Sequence, residues 1–233
     1  ARAASAPARF VLISSLAAAG PSIDGRPRRE EDPPAPVSTY GRSKLAGERA
    51  VAAALAGSRV AIAVVRPPIV YGEGDRDWLV AFRQIAKGVF PAVGGAAALA
   101  KRYSIVHARD LARGIAAALE TPVAAGRAYF LPGPDDATYA ELLDAVEAAL
   151  GKKARRVPVP LAAGYATAWI VETIGRLRGS PSIVSVDKVR ELAAPGWTCD
   201  GAAARRDLAW KPEVSLREGF ARTADWYRRE GLL

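Results

Sequence analysis

Two apolar runs, RFVLISS at 9–15 and RVAIAVVRPP at 59–68, flank a stretch with the character of one long helix. The first run closes in small polar residues and the second is broken by two prolines. Each predicts a strand buried on both faces, the kind found in parallel sheets. Residues 20–36 are rich in Gly, Pro and charge and predict a loop. Ser38 stands where it can cap a helix reaching about Ala56, with Gly57 as its stop. Strand, helix and strand at this spacing predict a βαβ unit, hence a parallel sheet with a right-handed crossover.

Further along, the pattern predicts helices over 77–87 and 110–120 and short strands near 103–107 and 127–131. Thr138 to Glu141 and Ser215 to Glu218 are capping boxes, the first opening a helix that ends at Gly151, the second opening the last helix. VPVP at 157–160 reads as a break before LAAGYATAWIVETIGRL. That apolar stretch carries Glu172 and is too short and interrupted to span a membrane. The reading preferred for it is a buried helix of a small cap; an interfacial helix is the alternative. No glycine-rich dinucleotide fingerprint follows a strand, and Gly94-Gly95 reads as part of an Ala-rich loop that opens no helix after a strand. The chain has 233 residues, no Met, and begins with Ala. The expectation is a piece of a longer protein, with the glycine loop upstream.

Composition narrows the chemistry. The formal charge is +9, but the basic residues are scattered and form no aromatic-interleaved patch, so no nucleic-acid partner is expected. Cys199 is the only cysteine and His107 the only histidine. No internal disulfide is possible, which suits a reducing, cytoplasmic compartment. No HExxH, CxxC or GxSxG is present, so neither a metal site nor a serine hydrolase is expected.

The stretch STYGRSKLAGE at 38–48 places Tyr40 and Lys44 one helical turn apart on a shared face. A fixed positive charge favours a phenolate, which is why such a pair suits proton exchange near neutral pH. Alone, the spacing equally describes a helix with a core Tyr and a surface Lys. Ser15 adds context. It closes the first strand, where open α/β sheets place ligand-contacting groups, and its hydroxyl can donate to a substrate oxygen and accept from Tyr40. RPPIVYGEGD at 66–75 ends the next strand, its prolines halting the sheet and leaving backbone groups free to meet a flat polar ligand.

With these segments in order, the chain resembles an extended short-chain dehydrogenase/reductase of the NAD-dependent epimerase/dehydratase family. VLISSLAAAG resembles the serine-bearing strand, EEDPPAPVSTYGRSKLAGE the acidic-Pro loop and YxxxK helix, and VVRPPIVYGEGD the stretch that meets the nicotinamide. YSIVHARDLARGI and RRDLAWKPEVSLREGFARTADWY resemble the family's later segments. The resemblance implies an α/β fold: the late half of a Rossmann-type doubly wound parallel sheet with a small C-terminal α/β substrate-binding cap. Residues 1–125 would hold the C-terminal half of the dinucleotide-binding domain, interleaved with cap segments at about 70–102, and 126–233 would be mostly cap. It implies NAD or NADP as cofactor, a small-molecule hydroxyl or carbonyl substrate, and a homodimer whose contact uses the Ala-rich helix 44–56.

The roles implied are these. Tyr40 is the general acid/base, Lys44 lowers its pKa and holds the cofactor ribose, and Ser15 steadies the reacting oxygen. Pro67, Pro68, Ile69 and Val70 line the nicotinamide through backbone atoms. His107 is structural, Asp110 caps the helix 111–120, and Cys199 is a small buried side chain beside Trp197. The chain departs from sugar-nucleotide members in one place. Where they carry an Arg-Asp-Phe run, it has Tyr103-Ser104-Ile105 with Arg102 one place earlier. That favours an alcohol/ketone oxidoreductase resembling 3β-hydroxysteroid dehydrogenases and dihydroflavonol reductases, with the apolar helix 161–177 as a lid over a greasy substrate. A sugar-nucleotide epimerase or dehydratase is the alternative in the same class. A non-catalytic dinucleotide- or protein-binding member is the alternative in another. Without the upstream half, the stretch alone is expected to be inactive.

Overall fold

The computed structural model describes residues 8–177 and 185–233. The expected βαβ unit is present. β1 (Arg9–Ile13) leads through a one-turn helix α1 (Leu16–Ala19) and a loop into α2 (Thr39–Ala54), and the chain returns in β2 (Ala61–Arg66). β1 and β2 are parallel, with Phe10 opposite Ile62 and Ile13 opposite Val65. Arg28 fixes the loop: its buried guanidinium donates to the Ala19 and Pro33 carbonyls.

Beyond β2 come β3 (Ile69–Tyr71), α3 (Asp77–Ala86), β4 (Val89–Val93), α4 (Gly95–Leu99), β5 (Arg102–Tyr103), β6 (Ile105–His107) and α5 (Ala108–Glu120). β7 (Ala128–Phe130), β8 (Ala137–Thr138), α6 (Tyr139–Leu150), β9 (Arg155–Val159) and α7 (Leu161–Leu177) follow. The chain closes with α8 (Val186–Ala193), α9 (Ala202–Leu208) and α10 (Leu216–Arg229). β7 joins β2 in parallel, giving the sheet order β1-β2-β7. β3 and β6 form a second parallel pair, β4 and β9 a third, and β5 and β8 an antiparallel one. Both capping residues, Thr138 and Ser215, act as their spacing suggests.

The core has two parts. One joins α3, α6 and α10 through Phe82, Leu142, Leu143, Phe220 and Tyr227. The other packs α5 and α9 on the main sheet through Val65, Leu111, Tyr129, Leu208 and Trp210. Cys199 and Trp197 are both buried in the first.

Five expectations need correction. β1 is not buried on both faces: Phe10 is 42% and Ile13 48% exposed, because among the described strands it pairs with β2 alone. VPVP is no break, since Val157 to Val159 belong to β9, with Pro158 opposite Ala92. A two-stranded ladder leaves each strand an outer edge, where a residue without an N–H costs nothing. Gly94-Gly95 does follow a strand and open a helix, the five-residue α4, with Gly94 left-handed at φ 86°. Asp110 does not cap α5. His107 does so, its Nδ1 accepting from the Arg109 amide, while Asp110 accepts the amides of Glu213 and Val214 and moors the C-terminal segment. Finally, α7 is not a buried helix: Trp169 is 64% and Ile170 50% exposed.

Candidate functional site

The site grows from the C-terminal ends of β1 and β2. After Ile13 the Ser14 amide donates to the Val65 carbonyl at 2.7 Å, and the Leu16 amide donates to Pro67 at 2.8 Å. These bonds draw the β1 exit against the prolines that end β2. Ser15 caps α1, its Oγ accepting from the Ala17 amide at 3.1 Å rather than from Tyr40. Accepting with its oxygen leaves the hydroxyl proton for donation outward.

The N-terminus of α2 is held on two sides. Ser38 Oγ accepts from the Gly41 amide at 3.0 Å, and Asp187 of α8 accepts from the Thr39 amide at 2.7 Å. A carboxylate there also complements the positive end of the helix dipole. Gly41 lets α2 press against α1: a Cβ at that position would lie 2.3 Å from the Ala17 carbonyl oxygen. Gly41→Ala is therefore expected to destabilise the fold by about 1–3 kcal/mol and to lower kcat/KM by shifting Tyr40, as read by chemical denaturation and initial rates.

Farther along α2, Glu48 receives Arg66 in a bidentate pair, Nε donating at 2.9 Å and Nη2 at 2.6 Å. Both side chains are buried. The pair clamps the helix to the end of β2.

A cavity of about 660 Å³ opens between these elements. Ser15, Tyr40, Pro68, Ile69 and Val70 line it together. Lys44 is outside that lining, its Nζ 5.7 Å from the centroid of the Tyr40 ring and 3.5 Å from the Ile13 carbonyl. Pro67 is also outside it, with its carbonyl engaged by Leu16. Tyr40 is 49% exposed, and with Lys44 it is the group available to hold ribose hydroxyls. Among the described residues no cluster of three or more His, Cys, Asp or Glu is placed to hold a metal ion.

The opposite walls come from residues to which sequence reasoning gave no role. Leu16, Trp78, Tyr103, Leu192 and Trp197 supply apolar surface, and Asp77, Asp187, Lys188 and Glu191 supply charge. Lys188 Nζ lies 3.9 Å from Asp77, and Asp187 is shared between the Thr39 amide and Arg190. Burial pushes the Tyr103 phenol up to about 12, so it is neutral at physiological pH. Burial lowers the imidazole of His107, and its Nδ1 is occupied as the α5 cap. No local signal marks these walls, because they reach the cavity through contacts between distant parts of the chain.

Residues 1–131 match the model of the NAD dependent epimerase/dehydratase family. Ceramide reductase of Caulobacter vibrioides is 32% identical over 97% of this chain and 64% of its own length. UDP-glucose 4-epimerase of Vibrio cholerae is 31% identical over 93% of this chain and 62% of its own. The chain thus spans less than two thirds of the length of these curated relatives. Among solved structures, UDP-glucuronic acid 4-epimerase from Bacillus cereus in complex with NAD superposes with a TM-score of 0.74. It is 20% identical, and the match covers 95% of this chain and 62% of that one.

Proposed function

The chain belongs to the NAD-dependent epimerase/dehydratase family, and we propose that the whole protein interconverts a secondary alcohol and a ketone on an apolar substrate, with NAD or NADP. The character of the cavity walls carries this reading. Tryptophans, leucines and an isoleucine dominate the side facing Ser15 and Tyr40, and no arginine lines it. A nucleoside diphosphate would meet three carboxylates there and one ammonium already near Asp77. Like charge at such distances disfavours an anionic substrate. The ceramide reductase relative, by its name, fits the same reading.

The residues present fit a dinucleotide. Tyr40 and Lys44 stand partly exposed beside the strand ends, and Ser15 and Pro68 to Val70 face the adjoining cavity. When bound, the nicotinamide supplies hydride transfer. On this reading the chain's own groups do the rest. The Tyr40 phenol exchanges a proton with the substrate oxygen. Ser15 donates its hydroxyl proton to that oxygen and steadies the charge developing on it. Lys44 favours the ionised phenol and holds the ribose, while the backbone of Pro68 to Val70 keeps the nicotinamide face dry. We place the dinucleotide-binding part within residues 1–125, the cap mostly within 126–233, and a homodimer contact on the exposed Ala46, Gly47, Ala50 and Ala53 of α2.

The test is turnover by the whole protein with NADH and NADPH. Long-chain ketones are expected to be reduced and UDP-glucose left unchanged. Epimerisation of UDP-glucose with no reduction of any ketone would decide for a sugar-nucleotide enzyme.

A further inference from the structure

One side of α7 faces solvent without a single charged residue. Ala162, Ala163, Ala166, Trp169, Ile170 and Ile174 are all exposed. The opposite side packs inward. A Cβ at Gly164 would lie 2.7 Å from Val93, Ala168 is fully buried, and Glu172 accepts from the Val186 amide at 3.1 Å. An apolar face this long, with an indole at its centre, is unusual on a surface in contact only with water.

We infer that this face docks on an anionic lipid surface, with α7 lying flat in the headgroup region. Cations stand beside the face. Arg190 shares with Trp169 and Thr173 a cavity of about 310 Å³, and Arg42 donates to Thr39, which lines the same cavity. Lys188 is exposed on the next helix, and the chain carries a net charge of +9. An apolar helical face flanked by Arg and Lys matches an interfacial helix, whose binding sums buried apolar area with attraction to anionic headgroups. A second copy of the chain fits less well. A two-fold contact through this face would set the same cations against one another. The helix lies on the surface rather than crossing it: among the described residues no helix is long and apolar enough to span a membrane.

The face also adjoins the candidate site. Ser185 and Asp187 line both the cavity beside Trp169 and the one holding Ser15 and Tyr40. A bilayer resting on α7 would therefore border the entrance used by an apolar substrate. Substrate passage rests on the oxidoreductase reading; docking does not.

The experiment is flotation of the whole protein with vesicles of phosphatidylcholine, alone or mixed with phosphatidylglycerol. Binding to the mixed vesicles only, released by salt, is expected. The double variant Trp169→Ser, Ile170→Ser should weaken it about tenfold or more, and Ile174→Ser should weaken it less. An unchanged thermal midpoint would show that the exposed substitutions leave the fold intact. No binding to mixed vesicles, or binding that the variants leave intact, would overturn the inference. So would light scattering showing that the variants split a dimer, which would give the face to a second copy. Vesicle binding is read without turnover, so its loss would leave the dehydrogenase reading standing.

Discussion

Tyr40→Phe is expected to lower kcat of the whole protein by about 10²–10⁴-fold, with dinucleotide affinity and stability nearly unchanged. The substitution removes one oxygen and keeps the ring that stands beside Lys44. Tyr40 is half exposed and outside the core, so little packing is lost. The helix start is set by Ser38, Gly41 and Asp187, none of which uses the phenol. The missing hydroxyl therefore acts on the chemical step alone. Ser15→Ala should lower kcat by a smaller factor, since its contribution is one donated hydrogen bond. Cofactor titration and single-turnover rates on the two variants separate these effects. Full turnover in Tyr40→Phe would assign the proton transfer to another group.

Arg66→Ala is expected to cost about 3–5 kcal/mol of folding free energy, as a buried pair broken on one side does. Glu48 would be left as a carboxylate between α2 and β2, without its two charge-assisted bonds. Both side chains are only 9% exposed, so water cannot restore the lost solvation. The penalty belongs to the stranded charge more than to the pair. The double variant Glu48→Leu, Arg66→Met should then recover much of the loss, because both charges leave together. Urea denaturation of the three variants tests this. A loss below about 1 kcal/mol in Arg66→Ala, the range of an exposed pair, would mean that the clamp is not a clamp. Since α2 also carries Tyr40 and Lys44, the single variant should lose activity at temperatures where the double variant keeps it.

How far the sequence spoke depended on the range of each signal. The βαβ unit was legible because its cues are local: two apolar runs, a capping serine and a stopping glycine. Thr138 and Ser215 announced their helices in the same way. The β4–β9 pair was hidden by Pro91 and Pro158, which argue against strands unless the ladder has two free outer edges, and its partners lie far apart in sequence. Helix α7 misled for a different reason. Its composition is that of a core helix, but burial depends on whether a partner exists to cover both sides, and only α8 and Val93 lie against it. In the candidate site, Ser15, Tyr40 and Pro68 to Val70 were named from motifs that sit within short segments. Trp78, Tyr103, Lys188 and Trp197 were not, because they meet the cavity only after α3 and α8 have docked. The bond from the Thr39 amide to Asp187 joins residues 148 apart, beyond the reach of any local pattern.

The most direct test is a crystal structure of the whole protein with dinucleotide and a bound ketone or its unreactive analogue. The account predicts Tyr40 Oη and Ser15 Oγ both within hydrogen-bond distance of the one ligand oxygen, with Lys44 Nζ on the ribose. A ligand oxygen held by other groups, with Tyr40 turned to bulk solvent, would contradict it.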